Sequence, residues 1–123
     1  MVESILNGKK ILAVDDEPDV LTVLEEEILG AAPNCYFDRS TNYQKAAEFL
    51  SSFTYDLVIL DIMGVRGFDL LNLAVDRPSP LPVVMLTAHA LSPGALRQSI
   101  EMGARAYLPK RNLEKLFPSW KMF

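Results

Sequence analysis

The fold of this chain is decided by the stretch ILAVDD, residues 11–16, in which four apolar residues run directly into Asp15 and Asp16. An apolar run without polar alternation predicts a strand covered on both faces, as in a parallel sheet flanked by helices. Three further runs end at a polar residue in the same way: LVIL at Asp61, VVML at Thr87 and AYLP at Lys110. The carboxyl ends of parallel strands share one edge of the sheet, where ligands bind. We therefore expect three carboxylates, a hydroxyl and an ammonium to meet at that edge.

Segments with the apolar spacing of an amphipathic helix alternate with these runs. They lie at 18–29, 43–50, 68–74, 93–102 and 113–117, and a second strand is predicted over 34–39. Pro18 and Pro93 suit the first turn of a helix, whereas Gly30 and Gly103 suit a helix end. The alternation predicts an α/β fold, a three-layer doubly wound sheet of five parallel strands in the flavodoxin-like order 2-1-3-4-5. We expect residues 1–123 to form one domain with a core of about 9–117. Residue 123 is either the end of a stand-alone protein or the cut end of a longer one.

Composition and charge exclude several classes of protein. Of the 123 residues 50% are hydrophobic and 23% charged, and a net charge of −4 lacks the basic footprint of a nucleic-acid-binding domain. The apolar runs fall well short of the roughly 20 residues of a membrane span, and the first residues lack the basic start of a secretory signal. Cys35 is the only cysteine, which excludes an internal disulfide and a thiolate zinc site. We expect a cytoplasmic protein whose segment here contacts neither nucleic acid nor membrane directly.

The acidic residues suggest a metal-assisted reaction at phosphorus. Three carboxylates held close together repel one another at neutral pH, and a divalent cation relieves that repulsion. Mg²⁺ usually takes one or two carboxylates with water and phosphate oxygen, so a third carboxylate stays free as a nucleophile. Asp61 is the best candidate, since it alone ends a central strand and precedes a glycine-containing loop. The metal, Thr87 and Lys110 would each neutralise one phosphoryl oxygen.

The same residues, taken in order, match the pattern of a known family. They closely resemble the receiver domain of two-component response regulators over residues 9 to 117, at Asp15-Asp16, Asp61, Thr87, Tyr107 and Lys110. The resemblance implies that Thr87 and Lys110 bind the phosphoryl group. It also implies that Thr87 and Tyr107 form a switch pair, in which the ring turns inward once the hydroxyl has moved toward the phosphate. The last strand and the two last helices would then present the output face.

The resemblance also implies a partner and a set of metal ligands. Asp61 would accept the phosphoryl group from a sensor histidine kinase, a phosphotransfer protein or a small phosphodonor. Asp16, Asp61 and the backbone carbonyl of Met63 would bind Mg²⁺, and Asp15 would help through water. Such a protein is a phosphorylation-controlled switch and not an enzyme acting on other molecules. Only self-phosphorylation and self-dephosphorylation are expected of it.

This chain departs from the family pattern on both sides of the expected site. The family usually has proline four and glycine eight residues after the acceptor, whereas Val65 and Gly67 here stand four and six after Asp61. The loop is therefore two residues shorter than usual. Most members also have a cis proline directly after the lysine, and Arg111 takes that place here. A cis bond without proline costs about 2.5–4 kcal/mol, so we expect the Lys110–Arg111 peptide to be trans.

Two further groups allow alternative interpretations. His89 lies two residues after Thr87, and we hypothesise that His89 and Met63 tune the lifetime of the phosphorylated state, the alternative being a solvated loop histidine. The apolar residues near the C-terminus are expected to pack the last helix on the sheet, the alternative being a homodimer or partner surface. They are Leu113, Leu116, Phe117 and Trp120.

Two rival functions remain open at this point. Phosphohydrolases of the haloacid dehalogenase type use a similar aspartate, magnesium, threonine and lysine. They carry a second aspartate two residues beyond the nucleophile, a place held here by Met63. A pseudo-receiver that binds partners without phosphorylation is conceivable because of the short loop and Arg111. The cognate kinase and the downstream partner or effector domain cannot be read from this sequence.

Overall fold

The computed structural model describes residues 5–87 and 93–110. Five strands and four helices alternate along these residues. They are β1 (Lys10–Val14), α1 (Pro18–Ala31), β2 (Tyr36–Ser40), α2 (Tyr43–Ser52), β3 (Leu57–Asp61), α3 (Gly67–Val75), β4 (Val83–Thr87), α4 (Pro93–Glu101) and β5 (Ala106–Pro109). The predicted last helix, with the apolar residues assigned to it, lies outside the described residues.

The strands form one parallel sheet in the order β2-β1-β3-β4-β5, which confirms the predicted fold. Val14 pairs with Leu60 on the neighbouring strand β3, and Thr87 of β4 pairs with Pro109 of β5. This register ends the four strands at similar levels. The polar residues at or directly after their carboxyl ends are thereby brought to the same edge.

The side chains of the sheet pack into two separate hydrophobic layers, one on each face, because successive residues of a strand point to opposite faces. On β1, Ile11 and Ala13 pack with α1, whereas Leu12 and Val14 pack with α2 and α3. All four side chains are fully buried. The unbroken apolar run of this strand is thus explained by helices on both faces, as predicted.

The ends of the helices and strands follow local signals, with small departures from prediction. Pro18 begins α1, and α2 begins after Asn42, whose side chain accepts a hydrogen bond from the Lys45 amide. Helix α1 continues past Gly30 to Ala31. Strand β2 begins at Tyr36, two residues later than predicted. Among the described residues, no helix is both long and apolar enough to cross a membrane.

Candidate functional site

Three aspartates converge at the carboxyl edge of the sheet, as predicted. Asp15 and Asp16 follow β1, and Asp61 is the last residue of β3. One carboxylate oxygen from each lies within 4.8 Å of the others. Asp15 and Asp61 are buried, whereas Asp16 is exposed. The cluster therefore has a buried floor and one carboxylate facing solvent.

Lys110 brings a positive charge between the two buried carboxylates. Its Nζ lies 3.0 Å from Asp15 Oδ2 and 3.2 Å from Asp61 Oδ2. The lysine side chain is only 15% exposed. The attraction within such a pair is stronger than between surface charges because water screens it less, although burying the charges itself costs free energy. Lys110 thus reaches the acidic cluster from the end of β5, as its position in the sequence predicts.

Glu17, which directly follows the two aspartates, also contacts the site. Its Oε1 lies 3.8 Å from Lys110 Nζ, and its side chain is 62% exposed. Its amide donates a hydrogen bond of 2.8 Å to Asp15 Oδ1. The exposed ion pair adds little. The Glu17 amide contributes more to the site, because its hydrogen bond orients the buried Asp15 carboxylate.

The two partners of the buried ion pair respond differently to their surroundings. Burial raises the pKa of Asp15 to about 6, although the Glu17 amide and Lys110 act in the opposite direction. Burial would lower the pKa of Lys110, but hydrogen bonding and charge from Asp15 and Asp61 outweigh it and raise that pKa. The lysine therefore stays charged at neutral pH, while ionised Asp15 is held at a cost in free energy.

Replacing Asp15 by asparagine is expected to increase the free energy of unfolding of the metal-free protein. Burial raises the pKa of Asp15 from 3.8 to about 6, so ionised Asp15 costs about 3 kcal/mol of stability above pH 6. That cost fades as the pH falls from 6 toward 3.8, because the folded state takes up its proton first. Asparagine carries no charge and keeps an oxygen for the Glu17 amide.

Urea unfolding of Asp15→Asn should show a gain of up to about 3 kcal/mol near pH 7.5 and almost none near pH 4. Asp56→Asn is the matched control, since Asp56 is exposed and its carboxylate accepts only from the Lys10 amide in the described structure. A control gain equal to that of Asp15→Asn, or a gain independent of pH, would contradict the assigned cost of burying this charge.

The loop between β3 and α3, residues 62–66, lies directly against the acidic cluster. The amides of Met63 and Gly64 donate to Asp61 Oδ1 and Oδ2 at 3.2 and 3.1 Å. A Cβ atom at Gly64 would collide with the carboxylates of Asp16 and Asp61. The short loop therefore brings its backbone, without a side chain at Gly64, onto the cluster.

Met63 lies in this loop and is 63% exposed. The structure assigns its amide to Asp61, and the role of its carbonyl as a metal ligand stays a prediction. His89 and Arg111 lie outside the described residues, as does the peptide bond that joins Lys110 to Arg111.

The predicted switch pair occupies neighbouring strands. Thr87, at the end of β4, is buried, and its hydroxyl donates to the Leu108 carbonyl on β5 at 3.4 Å. Tyr107 on β5 is 50% exposed. The Thr87 hydroxyl therefore lies at the carboxyl edge of the sheet, and Tyr107 is half exposed.

The donor set fits a hard divalent cation. Carboxylate oxygens are the ligands that Mg²⁺ prefers, and an exposed Asp16 leaves room for the waters that this ion retains. Asp15 Oδ2 accepts no well-aligned hydrogen bond from the described part of the chain, and its charge is met by the Lys110 ammonium. A buried carboxylate oxygen that has an ion pair but no well-aligned hydrogen bond suits a site that also binds a cation.

Comparison with known proteins identifies the family. The family model described as the response regulator receiver domain matches residues 11–119. The chain is 34% identical over 105 residues to the DNA-binding transcriptional regulator NtrC of Escherichia coli, covering 81% of this chain and 21% of NtrC. It is 37% identical over 120 residues to a two-component response regulator of Arabidopsis thaliana, covering 93% and 19% of the two chains. This chain belongs to the receiver domains of response regulators.

Solved structures share the fold of this chain. A signal receiver domain of a DNA-binding response regulator from Colwellia psychrerythraea superposes with a TM-score of 0.81 at 23% identity, covering 93% of this chain and 96% of that one. A response regulator from Hahella chejuensis gives 0.77 at 25% identity, with 94% and 91% covered. The chain spans about a fifth of the length of the curated relatives named above.

Proposed function

We propose that this chain is the phosphoacceptor of a two-component signalling system, with Asp61 receiving the phosphoryl group. The donor would be a sensor histidine kinase, a phosphotransfer protein or a small phosphodonor. The observation that carries the proposal is the meeting of Asp15, Asp16 and Asp61 within 4.8 Å, with Lys110 at 3.2 Å from the proposed acceptor. Membership of the receiver family supports the same chemistry at these positions.

Asp16, Asp61 and the Met63 carbonyl would hold Mg²⁺, and Asp15 would contribute through water. When bound, the ion would supply positive charge to the oxygens of the incoming phosphoryl group. An Asp61 carboxylate oxygen forms the new bond to phosphorus while the bond from phosphorus to the donor breaks. The donor keeps the electron pair of that bond, and the product is an acyl phosphate.

Lys110 and Thr87 would neutralise the charge of the new phosphoryl group, and Thr87 and Tyr107 would change position in response to it. Lys110 is already at the acceptor and can turn from the Asp61 carboxylate to a phosphoryl oxygen. The Thr87 hydroxyl would leave the Leu108 carbonyl, its long bond of 3.4 Å being weak, and donate to the phosphate. Tyr107 would then turn into the space vacated. The output is a population shift, since phosphate favours the arrangement that it binds better.

The proposal includes no catalysis on other molecules. Met63 stands where phosphohydrolases of the haloacid dehalogenase type carry an acid and base, and its thioether can do neither task. Downstream, this domain would bind a partner or regulate an attached effector domain, with no direct contact to nucleic acid. The proposed location is the cytoplasm, where such kinases deliver phosphate.

The test is incubation with a small phosphodonor such as acetyl phosphate, with Mg²⁺ or with a chelator. The chain should gain one phosphoryl group, stable in acid and labile in base, only when Mg²⁺ is present. An unmodified chain under both conditions would support the pseudo-receiver instead, and turnover of a generic phosphatase substrate would support the hydrolase.

His89 and Met63 are proposed to tune how long the acyl phosphate lasts. A side chain two residues after Thr87 borders the path of water to the phosphoryl group in receiver domains. His89→Ala should therefore change the half-life of the phosphorylated protein severalfold, within the 10²–10⁴-fold or so available to acid–base effects. Time courses of phosphate loss measure it, with the unphosphorylated protein's stability as the control. An unchanged half-life would remove His89 from the proposal.

A further inference from the structure

Arg66, the last residue of the loop between β3 and α3, has a backbone conformation unusual for arginine. Its φ and ψ are 55° and 51°, and it is the one non-glycine residue with positive φ in the described part of the chain. The left-handed region is unfavourable for residues with a Cβ, so other contacts must hold it. Its side chain makes no capping bond to α3.

Two side chains contact the guanidinium group, and because the Arg66 and Asp69 side chains are 61% and 57% exposed, the contact with the Tyr43 ring is the more important of the two. Its central carbon lies 4.0 Å from the centre of the Tyr43 ring, at the start of α2. Its Nε donates to Asp69 Oδ2 at 2.8 Å, in the first turn of α3. A cation over an aromatic face is attracted by the ring quadrupole. Arg66 therefore joins α2 and α3 through the end of the short loop.

The backbone on either side of Arg66 is closely packed against neighbouring atoms. A Cβ at Gly67 would collide with the carbonyl oxygens of Asp61 and Ile62, and Gly64 is packed against the carboxylates as described above. Val65 between them is buried. We therefore expect a backbone rotation at Arg66 to displace the Gly64 amide relative to Asp61.

We propose that Arg66 is a positioning residue for the acidic site. Tyr43 and Asp69 hold its guanidinium, the held side chain maintains the left-handed backbone, and that backbone keeps the Met63 and Gly64 amides on the Asp61 carboxylate. The effect on these hydrogen bonds is independent of phosphorylation. The consequence for phosphoryl uptake rests on the function proposed above.

The experiment compares amide hydrogen exchange of Met63 and Gly64 by NMR, without Mg²⁺ or phosphodonor, using the Leu60 amide of β3 as the internal reference. Tyr43→Leu removes the ring face and should raise exchange of both loop amides about fivefold relative to Leu60. Tyr43→Phe keeps the ring and should leave the ratio unchanged. Arg66→Gly should also raise exchange of the loop amides relative to Leu60. Glycine adopts the left-handed backbone easily, so this increase would come from the lost side-chain contacts.

Phe49→Leu is the matched control, because it removes a second aromatic ring of α2 that lies 5.1 Å from the Lys45 ammonium. It should leave the loop amides as they are in the wild type. The proposal is overturned if Tyr43→Leu leaves the ratio unchanged, if it raises exchange equally in Leu60, or if Phe49→Leu has the same effect. The wild type's failure to take up phosphate would defeat the proposed function without altering this comparison.

Discussion

The Asp61→Asn variant is expected to take up no phosphoryl group from acetyl phosphate with Mg²⁺, whereas the wild type gains one. An amide oxygen is too weak a nucleophile to attack phosphorus, and the change leaves the size of the side chain and an acceptor for the loop amides intact. The loss should therefore be complete while the fold is retained. Intact mass measured over a time course gives the result, and circular dichroism confirms that the variant is folded.

Asp56→Asn provides the control for this loss. Asp56 directly precedes β3 at the opposite end from Asp61 and is exposed, so uptake should match that of the wild type. Label that persists in Asp61→Asn would mean that another group, such as Asp16, is the acceptor. That outcome would contradict the role proposed for Asp61.

The Lys110→Met variant is expected to lose about 3 kcal/mol of stability without metal, because removing one partner of a buried ion pair leaves the other charges uncompensated. Methionine keeps most of the stem and removes only the ammonium, which lies 3.0 and 3.2 Å from Asp15 and Asp61. Mg²⁺ should restore much of the loss, since a bound cation at about 100 times its Kd adds about 2.7 kcal/mol. Urea unfolding near pH 7.5, with and without Mg²⁺, measures both effects.

Lys45→Met is the matched control for Lys110→Met. The Lys45 side chain is 57% exposed and lies 4.0 Å from Glu48, so its loss should cost less than about 1 kcal/mol and should not respond to Mg²⁺. A loss at Lys110 no larger than at Lys45 would show that the ammonium does not compensate the buried carboxylates. Equal stability of Lys110→Met with and without Mg²⁺ would count against a cation site at this edge.

The acidic site illustrates a conflict between stability and function. Burial raises the pKa of Asp15 to about 6, and Lys110 does not cancel this effect. A neutral residue would make the metal-free fold more stable, as the Asp15→Asn prediction states. Functional sites commonly retain such locally unfavourable groups because their chemistry needs them. Here the need would be a cation and a phosphoryl group beside Asp61.

The sheet and the convergence of its polar ends could be predicted from sequence for a simple geometric reason. Runs such as ILAV favour a strand covered on both faces, and parallel strands end along one edge. Asp15, Asp61 and Lys110 therefore had to meet if the strands were parallel. Their contacts of about 3 Å follow from that placement and from opposite charge.

Other features depend on contacts that no local pattern reveals. The conformation of Arg66 is maintained by the Tyr43 ring, which lies on a different helix, whereas local preference alone would place glycine or asparagine there. Strand β2 begins at Tyr36 because the Asn34 amide is bound by the Asn7 side chain and the Cys35 amide by the Ala32 carbonyl. The amides directly before Tyr36 therefore form hydrogen bonds outside the sheet and are not available for pairing in it.

The switch pair could be placed but not oriented from sequence. Thr87 and Tyr107 were assigned to neighbouring strands, and they lie there, with Thr87 at the end of β4 and Tyr107 two residues before the end of β5. Tyr107 is 50% exposed, and the sequence pattern does not specify this exposure. Sequence patterns indicate which face of the sheet a residue occupies, but they do not specify its rotamer.

The most direct test of the account is chemical mapping of the phosphoryl group on the wild-type chain. After treatment with acetyl phosphate and Mg²⁺, borohydride reduces an acyl phosphate and permanently marks the aspartate that carried it, which peptide mass spectrometry then locates. The account predicts a mark at Asp61 alone, absent when Mg²⁺ is chelated. A mark at Asp15 or Asp16, or one that forms equally well without Mg²⁺, would contradict it.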